Sequence, residues 1–276
     1  MTASPELSQA LGSRYTIERE IAQGGMATVY LAQDAELQQR VAIKIMHPDL
    51  VDAIGTERFF REMGIAASLD HPCIVPLYDS GKAGGVPYYI MPYVEGDSLF
   101  ERLQRERRLS IGDAVRIACD IAAGLGYAHA RGVLHRDVKP ENILLAKGQA
   151  LVADFGLARA IGAADYSKLT ETGVIVGTVF YMSPEQLRES KDLDQRSDIY
   201  SLGCILYEML TGGPPYTGRS LTEMVTRILG AAVPPIQKLR PDVPPAVEQA
   251  ILRALAKQPA QRFATMEEFA AALPQT

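Results

Sequence analysis

One stretch of the sequence decides the fold prediction: His135-Arg136-Asp137-Val138-Lys139-Pro140-Glu141-Asn142, followed by Asp154-Phe155-Gly156. Asn142 lies five positions after Asp137 (142 − 137), and Asp154 lies seventeen positions after it (154 − 137). This spacing suits two short strands joined by a turn, which would bring both carboxylates to the mouth of one cleft. Phosphoryl transfer from a Mg-nucleotide to a hydroxyl needs a carboxylate that orients the hydroxyl. It also needs a carboxylate and an amide oxygen that hold metal ions.

Further motifs lie on both sides of this stretch, in a defined order. They are the lysine strand Val41-Ala42-Ile43-Lys44, the segment Ser183-Pro184-Glu185, Asp198 within Ser197-Asp198-Ile199-Tyr200-Ser201-Leu202-Gly203, and Arg262 within Pro259-Ala260-Gln261-Arg262-Phe263. Together the motifs resemble the signature of eukaryotic-type (Hanks-type) protein kinases, with Ser183 where that family has alanine. The resemblance covers roughly residues 14 to 273. Within the family, the chain looks most like bacterial receptor-type Ser/Thr kinases.

The resemblance implies an α+β, bilobal protein kinase fold with an antiparallel-sheet N-lobe, one main N-lobe helix and a mostly helical C-lobe. We expect a flexible tail over 1–13, an N-lobe over 14–91, a hinge over 92–96 and a C-lobe over 97–274, forming one kinase domain over 14–274. The hydrophobic periodicity agrees with this order. It predicts strands over Tyr15 to Ile21, Thr28 to Ala32, Arg40 to Met46, Ile74 to Asp79 and Val86 to Met91, and helices over Asp52 to Leu69, Ser110 to about Gly132, Arg196 to Thr211 and Pro244 to Lys257.

The segment Ala22-Gln23-Gly24-Gly25-Met26-Ala27-Thr28-Val29 lies between two predicted strands and resembles the family's phosphate-binding loop. Small residues let backbone N–H groups approach phosphate oxygens closely. The family pattern is G-x-G-x-x-G-x-V, and here Ala22 and Ala27 stand at the first and third glycine positions. Phosphate contact should therefore survive in a loop that flexes less; without the motifs that follow, an ordinary hairpin turn would be an equal alternative.

Lys44 lies inside an apolar strand, where a lysine usually faces solvent. Glu62 follows eighteen residues later (62 − 44) on the predicted amphipathic helix. The resemblance implies that the two side chains pair and that Lys44 holds the α- and β-phosphates of ATP. The alternative is a surface salt bridge between Glu62 and Arg58 or Arg61 on its own helix.

The resemblance also implies where the adenine binds. Met91 would be the gatekeeper at the back of the pocket, and the Pro92 carbonyl and the Val94 N–H would bond the base. Proline lacks a donor but keeps its carbonyl, so this contact is not threatened. Apolar side chains would sandwich the purine, namely those of Val29, Ala42 and Leu144.

The catalytic roles follow from the resemblance and from the chemistry of the groups. Asp137 would orient the acceptor hydroxyl, and Lys139 would steady the charge of the transferring phosphoryl group. Asn142 and Asp154 are the predicted metal ligands, and their oxygen atoms suit a hard ion such as Mg²⁺ or Mn²⁺. We interpret His135 as a buried structural imidazole stacked near Phe155. The other histidines, His47, His71 and His129, show no ligand spacing.

The segment from Asp154 to Glu185 should be mobile and should carry regulation. Arg136 precedes Asp137, and in the family such an arginine pairs with a phosphate on this segment. Thr170 and Thr172 are the predicted autophosphorylation sites, with ordinary polar loop residues as the alternative. Thr178 is expected to contact Asp137 and Lys139. Five residues have predicted structural roles: Arg136, Thr178, Glu185, its partner Arg262, and Asp198, which opens the central helix.

Composition excludes several other classes of protein. The chain is 47 % hydrophobic and 22 % charged, so it can build a large core. Its net charge of −5 and the lack of a basic stripe argue against a nucleic-acid binder. Cys73, Cys119 and Cys204 are widely spaced, which indicates buried thiols in a reducing cytoplasm. No apolar run is long enough to span a bilayer and no signal peptide opens the chain, so we expect a cytoplasmic location, including as the cytoplasmic domain of a membrane-anchored receptor kinase.

Two other functions were weighed against a protein Ser/Thr kinase. The first is a pseudokinase scaffold that binds nucleotide without catalysis. Such a scaffold typically lacks Lys44, Asp137, Asn142 or Asp154, and all four are present. The second is a small-molecule kinase with a related fold, which would lack the Ser-Pro-Glu motif and Thr178. The protein substrates are expected to offer Ser or Thr acceptors, and Glu141 is a weak indication of basic residues near the acceptor.

The resemblance further suggests weak self-association through the backs of two N-lobes. The family positions of that contact match Arg14, Leu37 and Asp79. Leu37 lies in a polar turn, where an exposed apolar side chain could anchor the contact. Arg14 and Asp79 could pair across the two-fold axis. The alternative is that Leu37 is one of the scattered surface leucines that most proteins carry.

Overall fold

The computed structural model describes residues 11–12, 14–47, 55–156 and 178–274. The described residues belong to two compact units. The first unit contains the described parts of Met1–His71, Val75–Glu95 and Phe155–Ile175. The second contains Pro72–Ile74, Gly96–Asp154 and the described part of Val176–Thr276.

The first unit is a five-stranded antiparallel sheet with one helix. Its strands follow the order β1-β2-β3-β5-β4 across the sheet. The strands are β1 (Tyr15–Gln23), β2 (Ala27–Asp34), β3 (Gln39–Met46), β4 (Asp79–Ala83) and β5 (Val86–Pro92), and the helix is α1 (Thr56–Ala66).

Each face of this sheet has its own core, because alternate side chains of a strand point to opposite faces. On one face, Ala27, Met46 and Tyr89 pack against Phe59 and Met63 of α1. The other face is covered by a different set, namely Leu11, Tyr15, Ala32, Val41, Ile43, Ile45, Ala83 and Ile90. Helix α1 therefore packs on one face of the sheet. Only strand residues whose side chains point to that face lie near the helix.

The second unit is mostly helical and contains a small three-stranded sheet in the order β6-β7-β8. The strands are β6 (Asp97–Ser98), β7 (Ile143–Ala146) and β8 (Gln149–Val152). The helices are α2 (Leu99–Glu106), α3 (Ile111–His129), α4 (Pro184–Leu187), α5 (Arg196–Thr211), α6 (Leu221–Gly230), α7 (Ile236–Leu239), α8 (Pro245–Ala254) and α9 (Met266–Ala271). Short 3₁₀ helices lie at Pro140–Asn142, Thr178–Tyr181 and Pro259–Gln261.

Helix α5 lies at the centre of the second unit. Nearly all its residues from Ser197 to Leu210 are buried, and it contacts α3, α7 and α8. A helix that is buried on all sides is mostly apolar, as this one is apart from its ends, Ser201 and Glu208. It ends at Gly212, whose φ of 91° is a left-handed conformation that glycine adopts without strain.

Most predicted boundaries agree with the structure to within a few residues, but one predicted strand is wrong. The strand expected over Ile74 to Asp79 is absent: only Ile74 forms an isolated bridge, to Val152, and β4 begins at Asp79. Ile74 and Val75 are nevertheless buried. Their apolar character therefore reflects packing of an irregular segment, which periodicity alone does not separate from a strand.

The sequence predicts that all three cysteine thiols are buried. Cys73 and Cys204 are buried and Cys119 is half-buried, and burial raises the pKa of all three thiols. A raised pKa keeps them protonated and unreactive near neutral pH.

Among the described residues, no helix is both long enough and apolar enough to cross a bilayer.

Candidate active site

The predicted phosphate-binding loop is the turn between β1 and β2. Ala22 lies in β1 and Ala27 begins β2. Only Gly24, Gly25 and Met26 therefore lie between the two strands. The Gly24 N–H donates to the Ala27 carbonyl at 2.9 Å, which closes the turn. Both glycines are exposed. The loop therefore presents backbone rather than bulky side chains at its tip.

Lys44 lies on the face of the sheet that α1 covers. It pairs with Val29 on β2 and with Tyr89 on β5, and directly paired residues of antiparallel strands share a face. Tyr89 belongs to the core that packs on α1. The Lys44 Nζ lies 5.9 Å from the centre of the Tyr89 ring. A lone lysine in a strand usually faces solvent, but the Lys44 side chain lies on the face that α1 covers.

Glu62 is buried on α1, between the buried positions Phe59 and Met63. A buried carboxylate needs a compensating partner, so the burial of Glu62 argues against an exposed pair on the helix surface, and its pairing with Lys44 stays a prediction. Gly156 packs against the same turn of α1. A Cβ added to it would lie 3.1 Å from the Glu62 carbonyl oxygen, and its φ is +88°. Glycine is the residue that both constraints allow.

All but one of the residues predicted to bind adenine lie on strands, four strands in all. In the first unit, Ala42 pairs with Met91, and Pro92 is the last residue of β5 and pairs with Val41. Val29 lies on the same face as Ala42 and Met91, because it pairs with Lys44 two positions from Ala42. Leu144 belongs to β7 in the second unit. Val94 follows β5 without regular structure.

The predicted metal ligands flank the β7–β8 hairpin. Ile143 pairs with Val152 at the open end of the hairpin, and the Ala153 N–H donates to the Asn142 carbonyl at 2.8 Å. Asn142 therefore directly precedes the β7–β8 hairpin, and Asp154 lies just after it. The spacing predicted two strands and a turn between these residues. Asp154 has a φ of 67°. This left-handed conformation is uncommon outside glycine, and Asp and Asn tolerate it best.

Asp137 lies between a lysine and an amide. Its Oδ2 is 2.8 Å from Lys139 Nζ, and Asn142 Nδ2 donates to the same oxygen at 3.3 Å and to the Asp137 carbonyl at 2.9 Å. Because the Asn142 nitrogen faces Asp137, its Oδ1 is left to accept a cation. The other carboxylate oxygen, Asp137 Oδ1, is buried and accepts no hydrogen bond from any described residue.

Several carboxylates lie near the Lys139 ammonium and favour its charged form. Burial alone would lower the pKa of this ammonium, but Asp137, Glu141 and Asp154 outweigh burial and the pKa is raised. Burial raises the pKa of Glu141. Lys139 is therefore cationic over the physiological range, which is the state that a developing phosphoryl charge requires.

Asp198 holds the segment that precedes Asp137. Its carboxylate accepts the His135 N–H at 2.9 Å, the Arg136 N–H at 2.8 Å and a bond from His129 Nε2 at 2.7 Å. Burial would raise the pKa of Asp198, but these donors outweigh burial and the pKa is lowered. Arg136 has a φ of 67°, and its backbone is fixed on the other side by Gln186 Nε2, which donates to its carbonyl at 2.7 Å.

His135 is fully buried, as predicted. Its Nε2 lies 2.8 Å from the Ala153 carbonyl, so Nε2 carries the proton, and its Nδ1 accepts the Asp137 N–H at 3.2 Å. The imidazole thereby joins the segment before Asp137 to the segment before Asp154. Sequence reasoning missed the roles of His129 and Gln186, because neither has a motif and both act through packing of distant segments.

Glu185 and Arg262 form a buried two-point ion pair. Arg262 Nη1 lies 2.6 Å from Glu185 Oε1, and Nη2 lies 2.8 Å from Oε2. Ser197 Oγ donates to the same Oε1 at 2.7 Å. Burial opposes ionisation of Glu185, but these donors outweigh it and lower its pKa. This pair ties the residues after the 3₁₀ helix at Thr178–Tyr181 to the C-terminal part of the second unit.

Three other predicted residues lie at the margin of the described structure or outside it. Thr170 and Thr172 lie outside the described residues. The backbone of Thr178 begins a 3₁₀ helix, and its predicted side-chain contacts with Asp137 and Lys139 lie outside the described part of the chain.

Arg14 is engaged with three acidic side chains of its own chain, and its expected pairing across a two-fold axis stays a prediction. Its Nη2 lies 3.1 Å from Asp34 Oδ2, and its Nη1 lies 3.1 Å from Glu36 Oε2 and 3.9 Å from Asp79 Oδ2. Asp34 is almost wholly buried, and its Oδ1 accepts the Leu37 N–H at 3.1 Å. The Leu37 side chain is 49 % exposed.

The donor set near Asp137 fits a divalent cation that arrives with a nucleotide. Mg²⁺ is usually held by one or two carboxylates together with substrate phosphates and water, rather than by a cage of protein ligands. The described residues contain no cluster of three or more His, Cys, Asp or Glu side chains arranged to hold a metal. The Asp154 carboxylate and the Asn142 Oδ1, which is not directed at Asp137, are oxygen donors of the kind that this mode of binding uses.

Comparison with known proteins agrees with this arrangement. The family model described as "Protein kinase domain" matches residues 15–272. The chain is 40 % identical over 271 residues to the serine/threonine-protein kinase PknB of Mycolicibacterium smegmatis, covering 96 % of this chain and 43 % of that protein. It is also 40 % identical over 267 residues to the serine/threonine-protein kinase PrkC of Bacillus subtilis, covering 96 % of this chain and 41 % of that protein. The chain thus spans about two fifths of the length of these relatives, and it belongs to the protein kinase domain family.

Proposed function

We propose that this chain is a protein Ser/Thr kinase that transfers the γ-phosphate of Mg-ATP to Ser or Thr hydroxyls of protein substrates. The observation that carries the proposal is the state of the Asp137 carboxylate. One oxygen is held by Lys139 and Asn142, and the other is a buried acceptor with no hydrogen bond from a described residue. An acceptor hydroxyl that donates to Oδ1 would complete its hydrogen bonding.

The proposed mechanism assigns each group one task. Asp137 orients the hydroxyl and accepts its proton, and Lys139 holds the transferring phosphoryl group by charge. Lys44, paired with Glu62, binds the α- and β-phosphates, and the loop N–H groups from Gly24 to Ala27 hold phosphate oxygens. Asn142 and Asp154 hold Mg²⁺, or Mn²⁺ in its place, which neutralises phosphate charge when bound.

The pseudokinase alternative has no support. The side chains that such a scaffold typically lacks are all present, and the named relatives are serine/threonine-protein kinases. Incubation of the pure protein with γ-labelled ATP and Mg²⁺, with and without a generic protein substrate, tests the proposal. Label on protein supports it, label only on small molecules indicates a small-molecule kinase, and nucleotide binding without any label indicates a scaffold.

We expect autophosphorylation at Thr170 and Thr172 before other sites. Both lie in Leu169-Thr170-Glu171-Thr172-Gly173, in the segment that follows Asp154. Arg136 is the predicted partner of the phosphate, since a guanidinium binds phosphate oxygens in bidentate fashion. Phosphopeptide mass spectrometry after incubation with ATP measures the sites. Phosphate found only outside residues 160 to 178 contradicts the expectation, and a Thr170→Ala, Thr172→Ala double variant serves as the control.

We also propose weak self-association through the N-lobe surface that contains Leu37. Exposure of Leu37 beside the ion-pair network of Arg14, Asp34 and Asp79 supports it. Because Arg14 is already engaged within the chain, Leu37 would contribute more than a charge pair. Wild type should sediment as a monomer–dimer mixture at high concentration, and Leu37→Asp as a monomer. If both sediment as monomers and autophosphorylate at equal rates, the self-association is refuted.

The location of the chain follows from its function. ATP and reduced thiols are both supplied by the cytoplasm, so we infer a cytoplasmic kinase domain. Because the chain spans only part of its relatives, this includes a domain carried by a longer, membrane-anchored receptor kinase.

A further inference from the structure

His47, the first residue after β3, joins that strand to the phosphate-binding loop. Its ring Nδ1 lies 3.1 Å from the Gly25 carbonyl oxygen, and its Nε2 lies 3.2 Å from Thr28 Oγ1. Its backbone N–H donates to the Met26 carbonyl at 2.9 Å. One residue therefore contacts the tip of the loop, the following residue and the start of β2.

The chemistry of these partners fixes the protons of the ring. A carbonyl oxygen can only accept, so Nδ1 must carry a proton and donate to Gly25. In the neutral ring, Nε2 then accepts from the Thr28 hydroxyl. If the ring takes up a second proton, Nε2 donates and the hydroxyl, which can do either, turns to accept. Both contacts therefore exist in either charge state of His47.

Fixing the Gly25 carbonyl also fixes the N–H that follows it. A trans peptide is planar, so the Gly25 carbonyl and the Met26 N–H point in opposite directions. With the carbonyl directed at His47, the Met26 N–H points away from His47. A backbone N–H whose direction is fixed before the ligand arrives binds an anion without a further loss of conformational freedom.

We propose that His47 is a positioning residue that holds the loop over Gly24 to Thr28 in its phosphate-binding conformation and thereby sets the affinity for nucleotide phosphates. The inference rests on the proposed function, because it assumes that this loop binds ATP. Ala22 and Ala27 already restrict the ends of the loop, and its flexible part is Gly24 and Gly25. His47 acts on that flexible part.

Four substitutions separate this role from a contribution to stability alone. His47→Leu removes both ring contacts and keeps an apolar side chain of moderate size. Thr28→Val removes only the hydroxyl. His47→Asn places a side-chain N–H where Nδ1 lies, so it retains the bond to Gly25. Thr16→Val is the matched control, because Thr16 is an exposed threonine of β1 with no side-chain hydrogen bond among the described residues.

The measurements are the KM for ATP, kcat, and the dissociation constant and off-rate of a fluorescent ADP analogue, with melting temperature as a check on folding. His47→Leu should raise KM and the dissociation constant by roughly five- to ten-fold, as loss of one or two hydrogen bonds predicts, while kcat changes by less than about two-fold. Thr28→Val should show a smaller rise, roughly two- to five-fold. His47→Asn should recover most of the wild-type affinity, and Thr16→Val should match wild type.

Two results would overturn the proposal. One is wild-type affinity in both His47→Leu and Thr28→Val. The other is a loss of affinity in which His47→Asn recovers nothing and the melting temperature falls in proportion, because that pattern indicates a stability role only. If wild type itself binds no nucleotide, the proposed function fails, and that result is distinct from either of these.

Discussion

Replacement of Asp137 by asparagine is expected to lower kcat by roughly 10²–10⁴-fold, the usual contribution of a positioned general base. Asparagine keeps the size of the side chain but cannot accept the hydroxyl proton. It also removes the charge that lies 2.8 Å from Lys139 Nζ, so the ammonium that should hold the phosphoryl group is less well placed. KM for ATP should change much less, since Asp137 is not predicted to contact the nucleotide.

The measurement is steady-state phosphate transfer to a protein substrate, with circular dichroism and melting temperature to show that the variant folds. Asp192→Asn is a suitable control, because Asp192 is an exposed acid of the same unit that has no predicted catalytic role. A pure Asp137→Asn protein with near-wild-type kcat would contradict the role of Asp137.

Replacement of Asp154 by asparagine is expected to abolish most of the Mg²⁺-dependent binding of ATP and to lower kcat at least about a hundred-fold. The reason is loss of the only predicted carboxylate ligand of the metal. Asparagine is the informative substitution here because Asp154 has a φ of 67°, a conformation that Asn adopts more readily than alanine. The change therefore alters charge with little effect on the backbone.

Titration of ATP in Mg²⁺ and in EDTA separates the two parts of this expectation. In wild type, Mg²⁺ should tighten ATP binding; in Asp154→Asn, affinity should be nearly the same with and without the metal. An equal response to Mg²⁺ in wild type and in the variant would show that the metal is held elsewhere.

The strands of the first unit were predictable because their apolar positions alternate and one face of the sheet is buried. The exceptions show where that signal ends. β4 has the sequence Asp79-Ser80-Gly81-Lys82-Ala83, which carries no apolar alternation, and it forms a strand through pairing with β5. A Cβ at Gly81 would lie 2.7 Å from the Tyr88 hydroxyl, so a larger residue there would require the Tyr88 side chain to shift.

The residues of the candidate site also divide into those that a sequence motif indicates and those that only the structure reveals. Those within motifs, such as Asp137, Asn142 and Asp154, could be proposed from the sequence because their chemistry needs particular groups at short spacings. The residues that hold them in place were not predictable. The bond between His129 and Asp198 joins positions 69 residues apart and depends on packing of α3 against α5. The contacts of His47 with the phosphate-binding loop depend on the register of β2 and β3.

The most direct test of the account is phosphopeptide mass spectrometry of wild type and Asp137→Asn, incubated side by side with ATP, Mg²⁺ and a generic protein substrate. We expect phosphate on Ser and Thr residues of the substrate and of the wild-type chain, and essentially none with the variant. Phosphate absent from both proteins, or present equally in both, would contradict the assignment of kinase activity to Asp137.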